Sequence, residues 1–411
     1  MMYGLFLPLY MSQYLGIGFL FTALAAIARE RGGDLEEIGV IYVLGMVWAV
    51  KFLWAPLVDR FGSRRLGHYR SWLLVTQPAT ALAVVMIAPF DVLDNLGLII
   101  AALAVVAILS STQDIATDAL AVRTMRGSGR GGVNGLQVGA GFVGDIIGGG
   151  GVLVVYDLFG WVPAVLTLAA VTAIPVYFIK RFREPVFDEP VEPVNRVRRK
   201  SIRTLFRQPG LPKWMLVVTP LLSLGMPGAT ALLAPILIDS GMTIGLVGLL
   251  TNVAGGVISI VAALAAGATI QRLGRKRALV IYGAGQVLAI ASVLPLAATG
   301  GVAWALVAIM LVNVFTAASY VAMYTVNMDN ARPDSAGSDF TLQVSISYFV
   351  RFAITGMVVG LAGSLGYAPA LFVCLALGVV GVLAAVTLFT ERADAPVEPA
   401  RPEPATLAQA A

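Results

Sequence analysis

The chain alternates long apolar stretches with short segments rich in charge, glycine and proline. A helix needs about 20 apolar residues to cross a bilayer core of about 30 Å. Stretches of that kind lie at about 3–28, 35–58, 70–90, 95–122, 132–155, 158–180, 213–237, 243–270, 277–298, 302–328, 337–361 and 367–390. The pattern therefore predicts an all-α membrane protein with twelve transmembrane helices.

Composition agrees with this reading and removes other classes of function. Of 411 residues, 58% are hydrophobic and only 12% are charged, with a mean hydropathy of +0.86. Soluble domains carry about 25% charged residues, so a soluble enzyme is excluded. The single Cys374 and single His68 provide neither a disulfide nor a Cys/His metal cluster. We therefore expect no cofactor and no metal. We also expect no nucleic-acid partner, because basic loops between the spans explain the net charge of +5.

The distribution of Lys and Arg predicts how the helices are oriented. Of the 28 basic residues, 24 fall in the C-terminal tail and in the loops that lie on the same side of the membrane as the N-terminus. Basic loops stay in the cytoplasm, so both termini are expected there, in a bacterial inner membrane. The first span has no basic leader or cleavage site before it and is expected to remain as the first helix.

An internal repeat predicts two pseudo-symmetric halves. Arg60, Gly62 and Arg65 recur in order as Arg272, Gly274 and Arg277, and the Leu-Gln-Val at 136–138 recurs at 342–344. Repeats of this kind are typical of transporters with a site near the membrane midplane. The predicted units are an N-terminal half (1–180), a cytoplasmic linker (181–212), a C-terminal half (213–390) and a disordered tail (391–411).

Few ionisable side chains lie inside the spans, and each is a candidate functional residue because its insertion costs about 2.5–3.5 kcal/mol. Asp114 and Asp118 lie four residues apart, on one face of the fourth span. They are candidates for proton coupling or cargo contact, since close buried carboxylates tend to hold a proton. The alternative is a structural role, pairing with Lys51 or capping the span near Arg123.

The repeat places Tyr320 and Tyr324 of the tenth span opposite Asp114 and Asp118. Asn313 shares their helical stripe, which is too polar and aromatic for a face directed at lipid. The remaining candidates for cargo binding are polar side chains within other spans: Tyr10, Gln13, Tyr14, Lys51, Gln343 and Arg351.

The same offset places Asp145 almost opposite Arg351. Two readings stay open at this point. The two side chains form a structural ion pair between the halves, which would make Asp145 a gating residue, or the planar guanidinium of Arg351 binds an anionic group of the cargo.

The segment DRFGSRR (Asp59 to Arg65), with its weaker copy RLGRKR (Arg272 to Arg277), resembles the hallmark loops of the major facilitator superfamily. The resemblance implies a transporter in which spans one, four, seven and ten line a central cavity. It also implies a gating role for this loop, here carried by Asp59, Arg60, Arg65, Arg272 and Arg277.

Two stretches, KFLWAPLVDR (Lys51 to Arg60) and STQDIATDA (Ser111 to Ala119), resemble the muropeptide permease (AmpG) and acetyl-CoA transporter branch. Within it, GSDFTLQ (Gly337 to Gln343) is most similar to siderophore importers of the RhtX/FptX type. The resemblance implies a monomeric inner-membrane permease, surrounded by lipid, that imports a siderophore or its iron chelate together with protons. The alternative cargo is an anhydromuropeptide or another amphiphilic small molecule.

Overall fold

The computed structural model describes residues 2–31, 44–92, 94–127, 129–185 and 204–391, and their regular structure is helical. The first nine residues of the second predicted span (35–43), most of the predicted linker (186–203) and all but the first residue of the predicted tail (392–411) lie outside the described residues.

Six helices form the N-terminal half. We label them α1 to α6: Met2–Glu30, with a π-helical turn at Phe19–Leu24; Met46–Val50 continued by a 3₁₀ turn at Lys51–Leu53 and by Ala55–Arg60; His68–Met86; Leu96–Thr124; Gly129–Phe159, with a π-helical turn at Ile147–Gly151; and Trp161–Arg181.

Six further helices, α7 to α12, form the C-terminal half: Leu211–Asp239, interrupted at Ser223; Gly245–Leu273; Arg275–Thr299; Val302–Asn330; Ala336–Leu365; and Tyr367–Leu388. Within the described residues, ten of the twelve helices are long and apolar enough to cross a membrane. The other two are the interrupted α2 and the more polar α3.

The two halves repeat one packing arrangement. In the first, α1 packs on α5, α3 on α4 and α3 on α6; in the second, α7 packs on α11, α9 on α10 and α9 on α12. Contacts between the halves run from α5 to α8 and α10, and from α11 to α2 and α4. The predicted fold, an all-α membrane protein with two pseudo-symmetric halves, is confirmed.

The ends of the halves are fastened in the same way. Glu184, just after α6, accepts hydrogen bonds from the backbone N–H of Arg70 (2.7 Å) and Tyr69 (3.4 Å) at the start of α3. Glu391, just after α12, accepts one from the backbone N–H of Arg275 (2.6 Å) at the start of α9. Each carboxylate thus satisfies free amide groups at a helix N-terminus, where negative charge is favoured.

Glycines in α5 bring three helix backbones into close contact. A Cβ built at Gly135 would lie 2.7 Å from the carbonyl oxygen of Ala263 in α8. On another face, Cβ atoms at Gly144 and Gly148 would overlap the carbonyl oxygens of Met11 and Leu15 in α1. Small residues permit this close approach, which stabilises membrane helices through van der Waals contact.

We expect Gly144→Ala to destabilise the protein, because the new methyl group has no room against α1. Overpacking of this kind costs about 1–3 kcal/mol. Gly150→Ala is the matched control, since its Cβ meets nothing within 4 Å and only the gain in helix propensity remains. Thermal unfolding in detergent should give a lower midpoint for Gly144→Ala than for both wild type and Gly150→Ala. Equal midpoints in the two variants would contradict the packing described.

Candidate transport pathway

A cavity of about 350 Å³ lies between the halves. Its walls come from α1, α2 and α5 on one side and from α7, α10 and α11 on the other. Most of the described lining is aromatic or aliphatic, with a few polar side chains. A concave, mainly apolar surface with few polar groups is the usual form of a small-molecule site.

The aromatic wall is built on α10 and α11. Tyr320 and Tyr324, one turn apart, stack with ring centroids 6.2 Å apart and planes at 17°. The guanidinium of Arg351 lies 4.5 Å from the ring centroid of Tyr320 and 5.2 Å from that of Tyr348. These cation–π contacts hold the guanidinium at the cavity wall. Arg351 makes no hydrogen bond or ion pair with the described residues.

Asp145 lines the same cavity from α5, half a turn before the π-helical turn. It has no hydrogen bond or ion pair in the part of the chain that the structure describes. The two side chains that the repeat placed opposite each other therefore face one cavity without pairing. The open reading in which they form an ion pair between the halves does not hold in this conformation.

A cluster of buried charges lies in the N-terminal half, outside the described cavity lining. Lys51, on the 3₁₀ turn of α2, is 1% exposed and forms an ion pair with Asp114. Asp118, also 1% exposed, accepts hydrogen bonds from the Tyr10 hydroxyl (3.2 Å) and from Nε2 of Gln137 (3.0 Å). With both carboxylates ionised, Lys51, Asp114 and Asp118 carry a net charge of one negative.

The basic end of the bundle, formed by the loop residues 61–67, 125–127 and 331–335 together with Gly274, has contacts that join the two halves. Asp59, at the end of α2, accepts hydrogen bonds from the backbone N–H of Gly337 (2.9 Å) and Ser338 (2.7 Å) and from the Ser338 hydroxyl (2.6 Å). It also accepts one from the Tyr69 hydroxyl at 2.9 Å. A carboxylate at the N-terminus of α11 is stabilised by the free amides and the helix dipole.

A second tie at the basic end joins α5 to α10. Arg130 and Arg275 both bind Asp329, with N–O distances of 3.0 and 2.8 Å. Nearby, Arg332 binds Asp339 through two hydrogen bonds of 2.7 and 2.9 Å, which hold the start of α11. The bond to this carboxylate raises the pKa of Arg332, so the guanidinium stays charged.

The Major Facilitator Superfamily model matches residues 6–355 of the chain. The chain belongs to the Major Facilitator Superfamily. As a member, it is a multi-pass membrane transporter of the secondary type and not an enzyme.

Two relatives and two solved structures illustrate the similarity. An uncharacterised protein of Haemophilus influenzae is 27% identical over 373 residues, 85% of each chain. The anhydromuropeptide permease of Escherichia coli K12 is 30% identical over 254 residues, 61% of this chain and 51% of the permease. The E. coli fucose:proton symporter (TM-score 0.71, 15% identity, 94% of this chain and 98% of that one) shares the fold, as does a human organic anion transporter (0.72, 13%, 93% and 98%).

The resemblance to muropeptide permeases of the AmpG type is confirmed, since the relatives include an anhydromuropeptide permease and a putative AmpG-type transporter of Rickettsia conorii, 26% identical over 66% of this chain and 67% of its own. The closeness to siderophore importers that residues 337–343 suggested is not shown by these matches.

The structure divides the predicted cargo-binding residues of this transporter into two groups. Tyr14, Asn313, Tyr320, Tyr324 and Arg351 line the cavity. The others are absent from its described lining: Tyr10 and Lys51 bind the carboxylates of α4, Gln13 is buried, and Gln343 donates to the carbonyl oxygens of Asn327 and Asp339 at 3.0 Å.

The expectation that α4 lines the cavity needs correction, because helices α2, α5 and α11 take part in the described lining and α4 does not. Sequence reasoning missed Trp48, which lies on α2 one turn before Lys51 and reaches the cavity. The available signal was the Trp-x-x-Lys spacing, which puts both side chains on one face of a helix.

The predicted gating residues are also divided. Asp59 makes the tie described above, and Arg60 stacks on Phe61 at 5.1 Å. Arg65, Arg272 and Arg277 make no hydrogen bond or ion pair among the described residues. The missed residues are Arg130, Arg275 and Asp329. All three lie next to short basic loops, but their pairing depends on how the halves meet.

We expect Asp59→Asn to loosen the basic end, because an amide lacks the charge that the N-terminus of α11 stabilises. Ile115 lies directly under this tie, 3.1 Å from a Cβ built on Gly337. In a Cys374→Ser background, a cysteine placed by Ile115→Cys should react faster with maleimide when Asp59→Asn is added. Asp334→Asn is the control, an exposed aspartate at the same end. Unchanged labelling in Asp59→Asn would remove Asp59 from the gate.

Proposed function

We propose that this transporter is a proton-coupled permease that imports anhydromuropeptides or closely related amphiphilic amino sugars. The observation that carries the proposal is the cavity wall itself. There, stacked tyrosines face the same space as the guanidinium of Arg351, which has no hydrogen bond or ion pair among the described residues. The anhydromuropeptide permease among the relatives supports this cargo.

The chemistry of such a cargo suits the wall. Anhydromuropeptides join amino-sugar rings to a short peptide with carboxylates. The apolar faces of sugar rings pack on aromatic rings such as those of Tyr320, Tyr324 and Trp48. The planar fork of Arg351 matches a carboxylate with two parallel hydrogen bonds. Tyrosine faces alone would also suit an aromatic iron chelate, so the relatives, rather than the rings, favour the sugar over the siderophore.

The buried charge cluster supports proton coupling. An uncompensated negative charge in a membrane interior is costly, and a proton on Asp118 or Asp114 removes it. Release of that proton would restore the net charge of one negative that Lys51 cannot balance alone. Binding or release of one proton therefore changes the charge of this cluster by one. Because the cluster joins α2 to α4, a proton gradient could in this way change how the two helices pack.

The proposed direction is import by alternating access. The ties of Asp59 and Asp329 lie at the basic end, and the cavity extends away from it along α1 from Tyr14 to Phe21. If the basic loops are cytoplasmic, as their charge predicts, this conformation receives cargo from the periplasm. Breaking the ties would then open the cavity to the cytoplasm.

Uptake into proteoliposomes tests the proposed function. We expect a labelled N-acetylglucosaminyl-anhydro-N-acetylmuramyl tripeptide to accumulate when the outside is made acidic, and to stop accumulating when an uncoupler is added. Iron-loaded catecholate and carboxylate siderophores serve as the competing cargo class. Accumulation of a siderophore but not of the muropeptide would overturn the proposal.

We expect Asp118→Asn to separate cargo binding from the proton gradient, because the neutral amide cannot exchange a proton while it can keep the hydrogen bond from Tyr10. Counterflow exchange of cargo should persist, whereas accumulation driven by an acidic exterior should be lost. Asp157→Asn, at the exposed end of α5, is the control and should behave as wild type. Full proton-driven accumulation by Asp118→Asn would remove this residue from the coupling step.

A further inference from the structure

Two charged side chains of opposite sign line the cavity in its described part, and they come from different halves. Asp145 lies on α5 of the N-terminal half, and Arg351 lies on α11 of the C-terminal half. Each is half-buried. Neither has a hydrogen bond or an ion pair with the described residues, and they do not pair with each other.

Asp145 and Arg351 differ from the buried charges of α2 and α4, which have polar partners. Lys51 and Asp114 neutralise one another, and Asp118 accepts two hydrogen bonds. Among the described residues, Arg351 has only its cation–π contacts with Tyr320 and Tyr348, and Asp145 has neither a hydrogen bond nor an ion pair. Ionisable side chains placed in this way inside a membrane protein mark substrate or ion pathways by default. Two such charges of opposite sign on facing walls indicate a ligand that carries both complementary charges.

We propose that the cavity recognises the zwitterionic part of its cargo, with Arg351 binding a carboxylate and Asp145 binding an ammonium group. The inference rests on the proposed function and adds to it. The sugar rings of an anhydromuropeptide would pack on the tyrosines, while the peptide supplies the two charges. Cargo with only one of these charges leaves the other side chain unpaired in the cavity, which is costly.

The arrangement also links binding to closure. Because Asp145 and Arg351 belong to different halves, a zwitterion held by both connects α5 with α11 across the cavity. The basic end is already connected by Asp59 and Asp329, so the bound zwitterion supplies the corresponding connection away from that end. A ligand that binds both halves favours the conformation in which they approach each other.

Binding of three probes to the purified full-length protein in nanodiscs tests the inference. The probes are the disaccharide tripeptide with its free side-chain amine, the same compound with that amine acetylated, and the disaccharide without peptide. In wild type, acetylation should weaken binding about tenfold, less than the loss of one partner of a fully desolvated charge pair causes, because Asp145 is only half-buried. This comparison needs no mutant and is therefore independent of folding.

Variants of Asp145 and Arg351 assign the two charges of the cargo to these side chains. Asp145→Asn should bind the free-amine and acetylated tripeptides equally, whereas the control Asp157→Asn should keep the wild-type preference. Arg351→Gln should weaken both tripeptides about tenfold while leaving the peptide-free disaccharide unchanged. Arg351→Lys should restore part of the loss, because an ammonium keeps the charge but not the planar fork.

The outcomes separate this inference from the proposed function. If the disaccharide binds and acetylation makes no difference in wild type, the zwitterion inference is wrong and the proposed function stands. If acetylation weakens binding in wild type and in Asp145→Asn alike, Asp145 is not the ammonium site and the inference is wrong. If none of the three probes binds, the proposed function is overturned together with the inference.

Discussion

The ion pair between Lys51 and Asp114 is the contact on which the proposed pathway depends, because it fixes α2 at the point where the helix is interrupted. From that point α2 sends Trp48 to the cavity and Asp59 to the N-terminus of α11. One helix thus connects the described cavity, the buried charges and the contact with α11. In the proposed mechanism, a change of charge next to Lys51 would act on all three through the helical segments of α2 on either side of the interruption.

The two halves share their packing but differ in chemistry. Both fasten their ends with a glutamate at a helix N-terminus, and in both the first helix donates a hydrogen bond to the fourth: Tyr10 to Asp118, and Trp214 to Asn327 at 2.8 Å. The N-terminal half holds the buried charges at this position, whereas the C-terminal half holds a neutral amide and the aromatic wall. In the proposed mechanism, the pseudo-symmetric packing would allow the halves to move against each other, and the chemical difference between them would separate the proton site from the cargo site.

The spans were predictable because the length and hydropathy that a bilayer demands leave few alternatives. The repeat correctly indicated two equivalent halves and brought Asp145 and Arg351 to one cavity. It did not predict contacts that depend on side-chain reach or on the conformational state. Asp114 pairs with Lys51, one of the alternatives left open, and Tyr320 lies beside Arg351. The ties of Asp59 to Ser338 and of Arg130 to Asp329 join residues with no shared local pattern.

In the proposed mechanism, the cluster of Lys51, Asp114 and Asp118 takes up a proton when cargo binds. Titration calorimetry in buffers of different ionisation enthalpy measures this exchange directly, with the anhydromuropeptide tripeptide as ligand. By linkage, we predict uptake of about one proton for each cargo molecule bound in the pH range where the empty cluster is deprotonated. Binding heats that are the same in every buffer across the accessible pH range would show that no proton is taken up and would rule out this coupling.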